Sequence, residues 1–336
     1  MKLDARHFRA AALAGLPLAV LGALLEATGY SSIAAARALL EGAFGSPYAF
    51  EGTLLRTVPL LFCGMAVALC FRAGLWNIGA EGQLLAGALA ATAAGTRLPD
   101  MPLWILLPLC LAAGALAGGL VGGLAGGLRA WRGVPEVVST LMLNFVLLQT
   151  VSWAVHGPLK ETSGAYPQSD VLDVLLPRIG DGRVHLGLAI ALIVTVLLEV
   201  VLFSSTLGFR LRMFGLSPDA AITAGQRAKP LVIGLMFAAG ACAGLGGSIE
   251  VLGVTGRLFE GFSPGYGYSA IAVALLGRLR PSAILAAAFL FGALESGAGR
   301  MQRSAGVPAS LTYLAEGLIL ITVLWMRADR SKEVRA

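Results

Sequence analysis

Charge is scarce in this 336-residue chain: Asp, Glu, Lys and Arg make up 13% of it, about half the share usual in soluble domains. Lysine is rarer still, confined to Lys2, Lys160, Lys229 and Lys332. None of the four follows the glycine-rich run of a phosphate-binding loop, which excludes nucleotide binding by that motif. His7, His156 and His185 stand far apart in sequence. Cys63, Cys70, Cys110 and Cys242 lie in apolar runs without metal-ligand spacing, so they read as packing residues. Gly261-Phe262-Ser263-Pro264-Gly265 matches the nucleophile-elbow pattern in form only, because Pro264 has no N–H to offer an oxyanion hole. A turn before a short helix explains it better. The sequence therefore assigns no catalytic residue, no metal site and no cofactor.

Apolar residues supply 57% of the chain, and the mean hydropathy is +0.80. A soluble fold has nowhere to bury that much apolar surface. Windows long enough to cross a bilayer, or nearly so, fall at about 10–28, 54–73, 79–96, 102–127, 135–156, 186–205, 230–249, 251–277, 281–298 and 309–326. Lipid-exposed backbone must satisfy its own polar groups, so all ten read as helices and the fold class as an all-α polytopic transmembrane bundle. The basic N-terminal residues Lys2, Arg6 and Arg9 precede an apolar run with no small-residue cleavage site, and the run reads as the first span.

The net charge of +6 comes from Lys and Arg scattered at window ends rather than gathered in a patch. That distribution suits a bilayer better than nucleic acid. With a cytoplasmic N-terminus, the larger share of the basic residues, among them Arg72, Arg129, Arg210, Arg280 and Arg330, lies inside. Both termini are then cytoplasmic. The hydrophilic stretch 157–185 faces outward and 206–229 inward, and neither has the apolar content of a separate domain, so 1–336 reads as one transmembrane domain.

Two interruptions stand out, at Gly74-Leu-Trp-Asn-Ile-Gly-Ala-Glu-Gly-Gln83 and from Glu250 to Gly267. The apolar run after the second, Tyr268 to Gly277, is too short to span and reads as a half-helix. Each break falls between the second and third window of its half. Five windows per half fit two inverted repeats with discontinuous helices near a solute route. Asn77, Glu81, Gln83, Asn144 and Glu250 are the polar candidates for that route, and the uncharged amides of Asn77, Gln83, Asn144 and Gln149 suit a neutral polar solute such as a sugar or nucleoside. Glu199, Glu295 and Glu316 lie within apolar windows, where an ionisable group is costly. They carry a competing expectation, proton-coupled transport. Gly114, Gly118, Gly122 and Gly126, with Gly119, Gly123 and Gly127 offset by one, form a small-residue stripe expected to pack within the bundle.

The inward stretch contains a well-marked short helix between Gly215 and Gly225. Ser217 is placed to cap it, Pro218 stands first, Asp219 complements the positive end, and Ala220 and Ala221 precede the Gly225 stop.

Four strings, Gly74–Gln83, Val137-Val-Ser-Thr-Leu-Met-Leu-Asn144, Gly215–Gly225 and Ser269-Ala-Ile-Ala-Val-Ala-Leu-Leu-Gly277, carry a family resemblance. The chain resembles the permease subunits of bacterial ABC importers in the branched-chain amino acid and simple-sugar permease superfamily. The Asn-Ile-Gly-Ala-Glu-Gly-Gln string is most similar to the nucleoside and simple-sugar branch. The resemblance implies an inner-membrane subunit that pairs with a second permease, similar or identical, and with two cytoplasmic ATP-binding subunits. It also implies an extracytoplasmic solute-binding protein. ATP would be used by the partner, and Gly215, Ser217, Asp219, Ala220, Ala221 and Gly225 would occupy the place of the family's ATPase-coupling loop. Family members commonly carry Asn where this chain has Ser217, and serine caps a helix equally well.

Overall fold

The computed structural model describes residues 19–308 together with Ser310, Leu311, Tyr313, Leu314, Gly317 and Leu318. The chain is an all-α bundle; among the described residues the only β pairing is two isolated bridges, Gln168 with Phe259 and Arg178 with His185. Its helices are α1 (Ala19–Ala27), α2 (Ser32–Phe44), α3 (Pro47–Arg72), α4 (Ala80–Arg97), α5 (Leu103–Arg132) and α6 (Glu136–His156). There follow α7 (Gly187–Ser204), α8 (Thr206–Leu216), α9 (Pro218–Thr223), α10 (Ala228–Glu250), α11 (Tyr266–Leu276) and α12 (Pro281–Ala305). The window 309–326 and Glu316 lie outside the described residues or largely so.

Among the described residues six helices, α3, α5, α6, α7, α10 and α12, are long and apolar enough to cross a membrane. The bent pair α1 and α2 adds a seventh if taken as one span. The structure differs from the windows at three places, each for a local reason. A helix follows the first window where no window was expected: α2 meets α1 at 119°. Gly29 turns the chain at φ +85°, and the Glu26 carboxylate accepts from the Ser32 N–H at 2.8 Å. The second window starts late, because α3 begins at Pro47, where Ser46 Oγ accepts from the Ala49 N–H at 3.1 Å and proline fits the first helical position. The window 251–277 is not one helix. Val251–Thr255 extends α10 as a π-helical turn, Gly256 stops it at φ +64°, and helix resumes only at α11.

The chain divides into two compact units. One comprises the described residues up to Arg56 and from Leu290 on, where Leu25, Ala35, Ala38, Met301 and Val307 form an apolar cluster. In it Arg56 pairs with Glu295 at 3.4 Å, and Glu41 pairs with Arg37 and Arg300. The other unit, Thr57–Phe289, is built around α10, which packs most extensively against α5 and α4. The small-residue stripe of α5 makes that packing possible. A Cβ on Gly118 would overlap the carbonyl of Gly240, and one on Gly122 the carbonyl of Met236. The backbones of α5 and α10 are therefore in direct contact, as expected for tight packing within one bundle. Helix α4 is long enough to span but carries Glu81, Gln83 and Arg97. Most of its surface is buried by protein, so little of it needs to be apolar. All four cysteines are buried and unpaired.

Candidate functional site

The two sequence interruptions meet in space. The chain leaves α3 at Arg72 and re-enters helix at Ala80; Ala73, Gly74 and Leu75 N–H groups donate to carbonyls at the end of α3, and side chains accept from Trp76, Ile78 and Gly79, the first of them Glu136 at 3.2 Å. Asn77 and Gln83 exchange amide hydrogen bonds at 3.1 Å, and Asn77 Oδ1 also accepts from the Gly79 N–H at 2.9 Å. Thr140 and Asn144 of α6 complete the set. Thr140 Oγ1 accepts from Ile78 N–H at 3.3 Å, and Asn144 accepts from Gly82 N–H at 2.8 Å while donating to the Ile78 carbonyl at 2.9 Å. Asn144 lies 3.4 Å from the Tyr268 hydroxyl of α11, which ties the first break to the second. The Glu81 carboxylate accepts from the Gly267 N–H at 2.7 Å, in the first turn of α11, where the helix dipole favours a negative group. Asn77, Glu81, Gln83, Asn144 and Glu250 are all buried.

Beside this lattice lies an open cavity of about 250 Å³, lined by Leu85, Leu148, Gln149, Val151, Ser152, Glu260, Gly261, Phe262 and Ser263. Glu260 accepts from the Ser152 hydroxyl at 2.8 Å and lies 3.9 Å from His156 Nε2. Four of the five predicted route residues, Asn77, Glu81, Gln83 and Asn144, thus form the bonded frame and Glu250 is buried at the end of α10, whereas the cavity wall draws its polar groups from α6 and from the loop before α11. Gln149 was legible as an amide in an apolar window. Nothing local pairs Ser152 with Glu260, since 108 residues separate them. Ser263 accepts from the N–H groups of Gly265 and Tyr266 at 3.2 and 3.3 Å, so the elbow-like string is the turn that starts α11.

The stretch 157–185 lies along the second break rather than standing free. Ser169 N–H donates to the Leu258 carbonyl at 2.7 Å, and Leu172 and Leu176 donate to Gly256 and Leu252 at 2.8 Å. Leu172, Val174 and Leu176 are buried there. His185 closes the stretch with 1% of its surface exposed. Its Nδ1 accepts from the Gly187 N–H at 3.1 Å, and its ring lies against Gly253 of the π-helical turn. Burial lowers its pKa from 6.5 to about 4. The unfolded chain therefore binds this proton as pH falls below about 6.5, while the folded chain does so only near 4. Stability from this group is complete above pH 6.5, and about 3 kcal/mol is lost as pH drops to 4. His185→Gln, which keeps an acceptor for Gly187, is expected to flatten that part of a plot of Tm against pH measured in detergent.

The short helix predicted between Gly215 and Gly225 is α9. Ser217 Oγ accepts from the Ala220 N–H at 3.3 Å, and Gly225 ends the turn at φ +87°. Ala221 is buried, whereas Asp219, Ala220 and half of Ile222 face out. The stretch 206–229 holds a second helix besides the expected one: α8 precedes α9, started by Ser205, which accepts from the Gly208 N–H at 3.1 Å. A groove of about 670 Å³ lies alongside, lined by Thr206, Phe209, Arg210, Ala224, Gly225, Gln226, Arg227 and Leu231. At the end of α8, Gly215 rests on the backbone of Arg72 so closely that a Cβ would overlap its carbonyl.

An apolar bundle with two converging helix breaks and an exposed capped helix defines a multi-pass membrane transport subunit. Residues 49–324 match the family described as branched-chain amino acid transport system / permease component, and the chain belongs to that family. It is 36% identical to the guanosine ABC transporter permease protein NupP of Bacillus subtilis, over 92% of this chain and 90% of the relative. It is 34% identical to a glucose ABC transporter permease protein of Haloferax volcanii, over 91% and 84%. With the nucleoside ABC transporter permease protein NupB of Lactococcus lactis the identity is 32%, over 90% and 87%. In each of these organisms a second permease protein also matches, at 25–27% identity. The chain is thus an ABC-transporter permease subunit, the membrane component of a system whose other parts include an ATPase and a binding protein.

Proposed function

We propose that this permease moves a neutral polar solute, a nucleoside or simple sugar, inward by alternating access driven by partner ATPases. The observation that carries the reading is α9. It is a capped, solvent-exposed helix in a chain with no phosphate-binding loop, joined through Gly215 to the residue that ends α3 and opens the first break. In this reading Gly215, Ser217, Asp219, Ala220, Ala221 and Gly225 meet the ATPase. Asn77, Glu81, Gln83, Asn144 and Glu250 frame the solute route, and the Gln149–Glu260 cavity opens onto it. The nucleoside and glucose permease relatives support the solute class.

The chain functions as one domain of two inverted halves in the cytoplasmic membrane. Both termini and 206–229 face the cytoplasm, and 157–185 faces the solute-binding protein. Its partners are two ATP-binding subunits and a second permease. The second permease is a different chain, a reading supported by the two unequal matches in each of three organisms. ATP is used by the partner, and no cofactor resides in this chain.

Proton coupling has less support. Glu199 pairs with Arg280 at 3.2 Å and Glu295 with Arg56 at 3.4 Å, so each is tied up in an ion pair rather than standing free along a proton route. Proteoliposomes containing this chain, the second permease, the ATPase and the binding protein are expected to take up solute only with ATP. Uptake by the chain alone, driven by a pH gradient, would overturn the proposal.

A further inference from the structure

The Phe203 ring, near the end of α7, is bracketed by three guanidinium groups from three separate elements. Arg72, which ends α3, lies 4.4 Å from the ring centroid. Arg280, in the turn between α11 and α12, lies at 4.7 Å, and Arg212 of α8 at 5.7 Å. All three are within cation–π range. Glu199, one turn earlier on α7, accepts from Arg280 and, at 3.1 Å, from the Ser282 N–H. The other two cations are held by carbonyls: Arg72 Nε donates to Leu279 at 2.6 Å, and Arg212 donates to Leu202. Three like charges thus converge on one ring with one paired carboxylate, held by the ring face together with the Leu279 and Leu202 carbonyls.

The turn they hold is strained. Arg278 and Leu279 have φ of +52° and +56°, the only positive values at non-glycine positions among the described residues. A Cβ makes that conformation unfavourable, and two in succession persist only where the surroundings impose them. Here the restraint is Arg72 on the Leu279 carbonyl and Arg280 on Phe203 and Glu199. The strained turn ends α11, whose opposite end is anchored on Glu81.

We propose that Phe203 and its three arginines form the joint that passes movement of α8 and α9 to the half-helix α11. The inference rests on α9 being the ATPase contact. Displacing α8 shifts Arg212 on the ring and, through Gly215, the end of α3. Arg72 and Arg280 then release or reload the strained turn, and α11 tilts against the frame that borders the solute route. Phe203 is accordingly a positioning residue, which touches neither solute nor ATP.

The test uses the complete importer in proteoliposomes, with ATP hydrolysis and solute uptake measured in the same vesicles. Phe203→Leu keeps an apolar side chain and removes the ring. It is expected to cut uptake about tenfold, the scale of one or two lost cation–π contacts, while ATP hydrolysis by the assembled complex stays within about twofold. Phe203→Tyr is expected to restore the wild-type ratio. Leu279→Gly, which relieves strain without altering the cluster, is expected to raise the ATP consumed per solute. A wild-type ratio in both Phe203→Leu and Leu279→Gly would overturn the joint, as would equal loss of hydrolysis and uptake in the Leu and Tyr variants. Absence of ATP-driven uptake by the wild type would overturn the permease reading and this inference together, so the two failures are distinguishable.

Discussion

Gly244→Ala is expected to lower the stability of the folded protein by about 2–3 kcal/mol, and Gly244→Val to prevent recovery of a folded species in detergent. In an isolated helix, alanine in place of glycine gains about 1 kcal/mol. In α10 the sign reverses, because a Cβ on Gly244 would overlap the Gly114 carbonyl and reach the Gly118 backbone. A Cβ on Gly87 of α4 would in turn overlap the Gly244 carbonyl. Three backbones therefore converge at this point, and none has a flexible side chain that can swing away. Gly234, on the same helix, faces open space and supplies the control. Gly234→Ala is expected to be neutral or to stabilise by up to about 1 kcal/mol. Thermal unfolding of the three proteins by circular dichroism checks the ranking, and a Tm for Gly244→Ala at or above wild type would refute it.

The second large effect concerns coupling. Gly225→Pro is expected to reduce ATP-driven uptake at least about tenfold while the protein still inserts and binds its partner permease. Proline fixes φ near −65°, whereas Gly225 sits at +87° and its N–H donates to the Ile222 carbonyl at 2.9 Å. The end of α9 must therefore unravel. Asp219→Lys acts differently. Asp219 is exposed in the first turn of α9, so reversing its charge costs the helix only about 0.3–1 kcal/mol. It nonetheless changes the face offered to a partner, and a comparable loss of uptake is expected. Uptake at the wild-type rate in both variants would remove α9 from the coupling path.

Bilayer chemistry made much of the molecule readable in advance. Lipid cannot hydrogen-bond a backbone, so long apolar runs had to be helices, and α3, α5, α6, α7, α10 and α12 follow directly. Local capping chemistry made α9 equally legible, since Ser217, Pro218 and Gly225 act within one turn of the groups they satisfy. The glycine stripe of α5 announced close packing because a missing side chain can be read without knowing the partner.

What the sequence could not contain was which surfaces meet. Nothing within residues 74–83 states that Glu81 will hold the first turn of α11, 186 residues away. Nor does anything in α7 state that Phe203 will collect arginines from α3, α8 and the α11–α12 turn. Helix α4 shows the same limit, being polar for its depth and tolerable only because its neighbours bury it. Spans and caps depend on solvent and on neighbours a few residues apart, and the sequence determined them. The joined breaks, the cavity beside them and the arginine cluster depend on long-range contact, and only tertiary packing decided them.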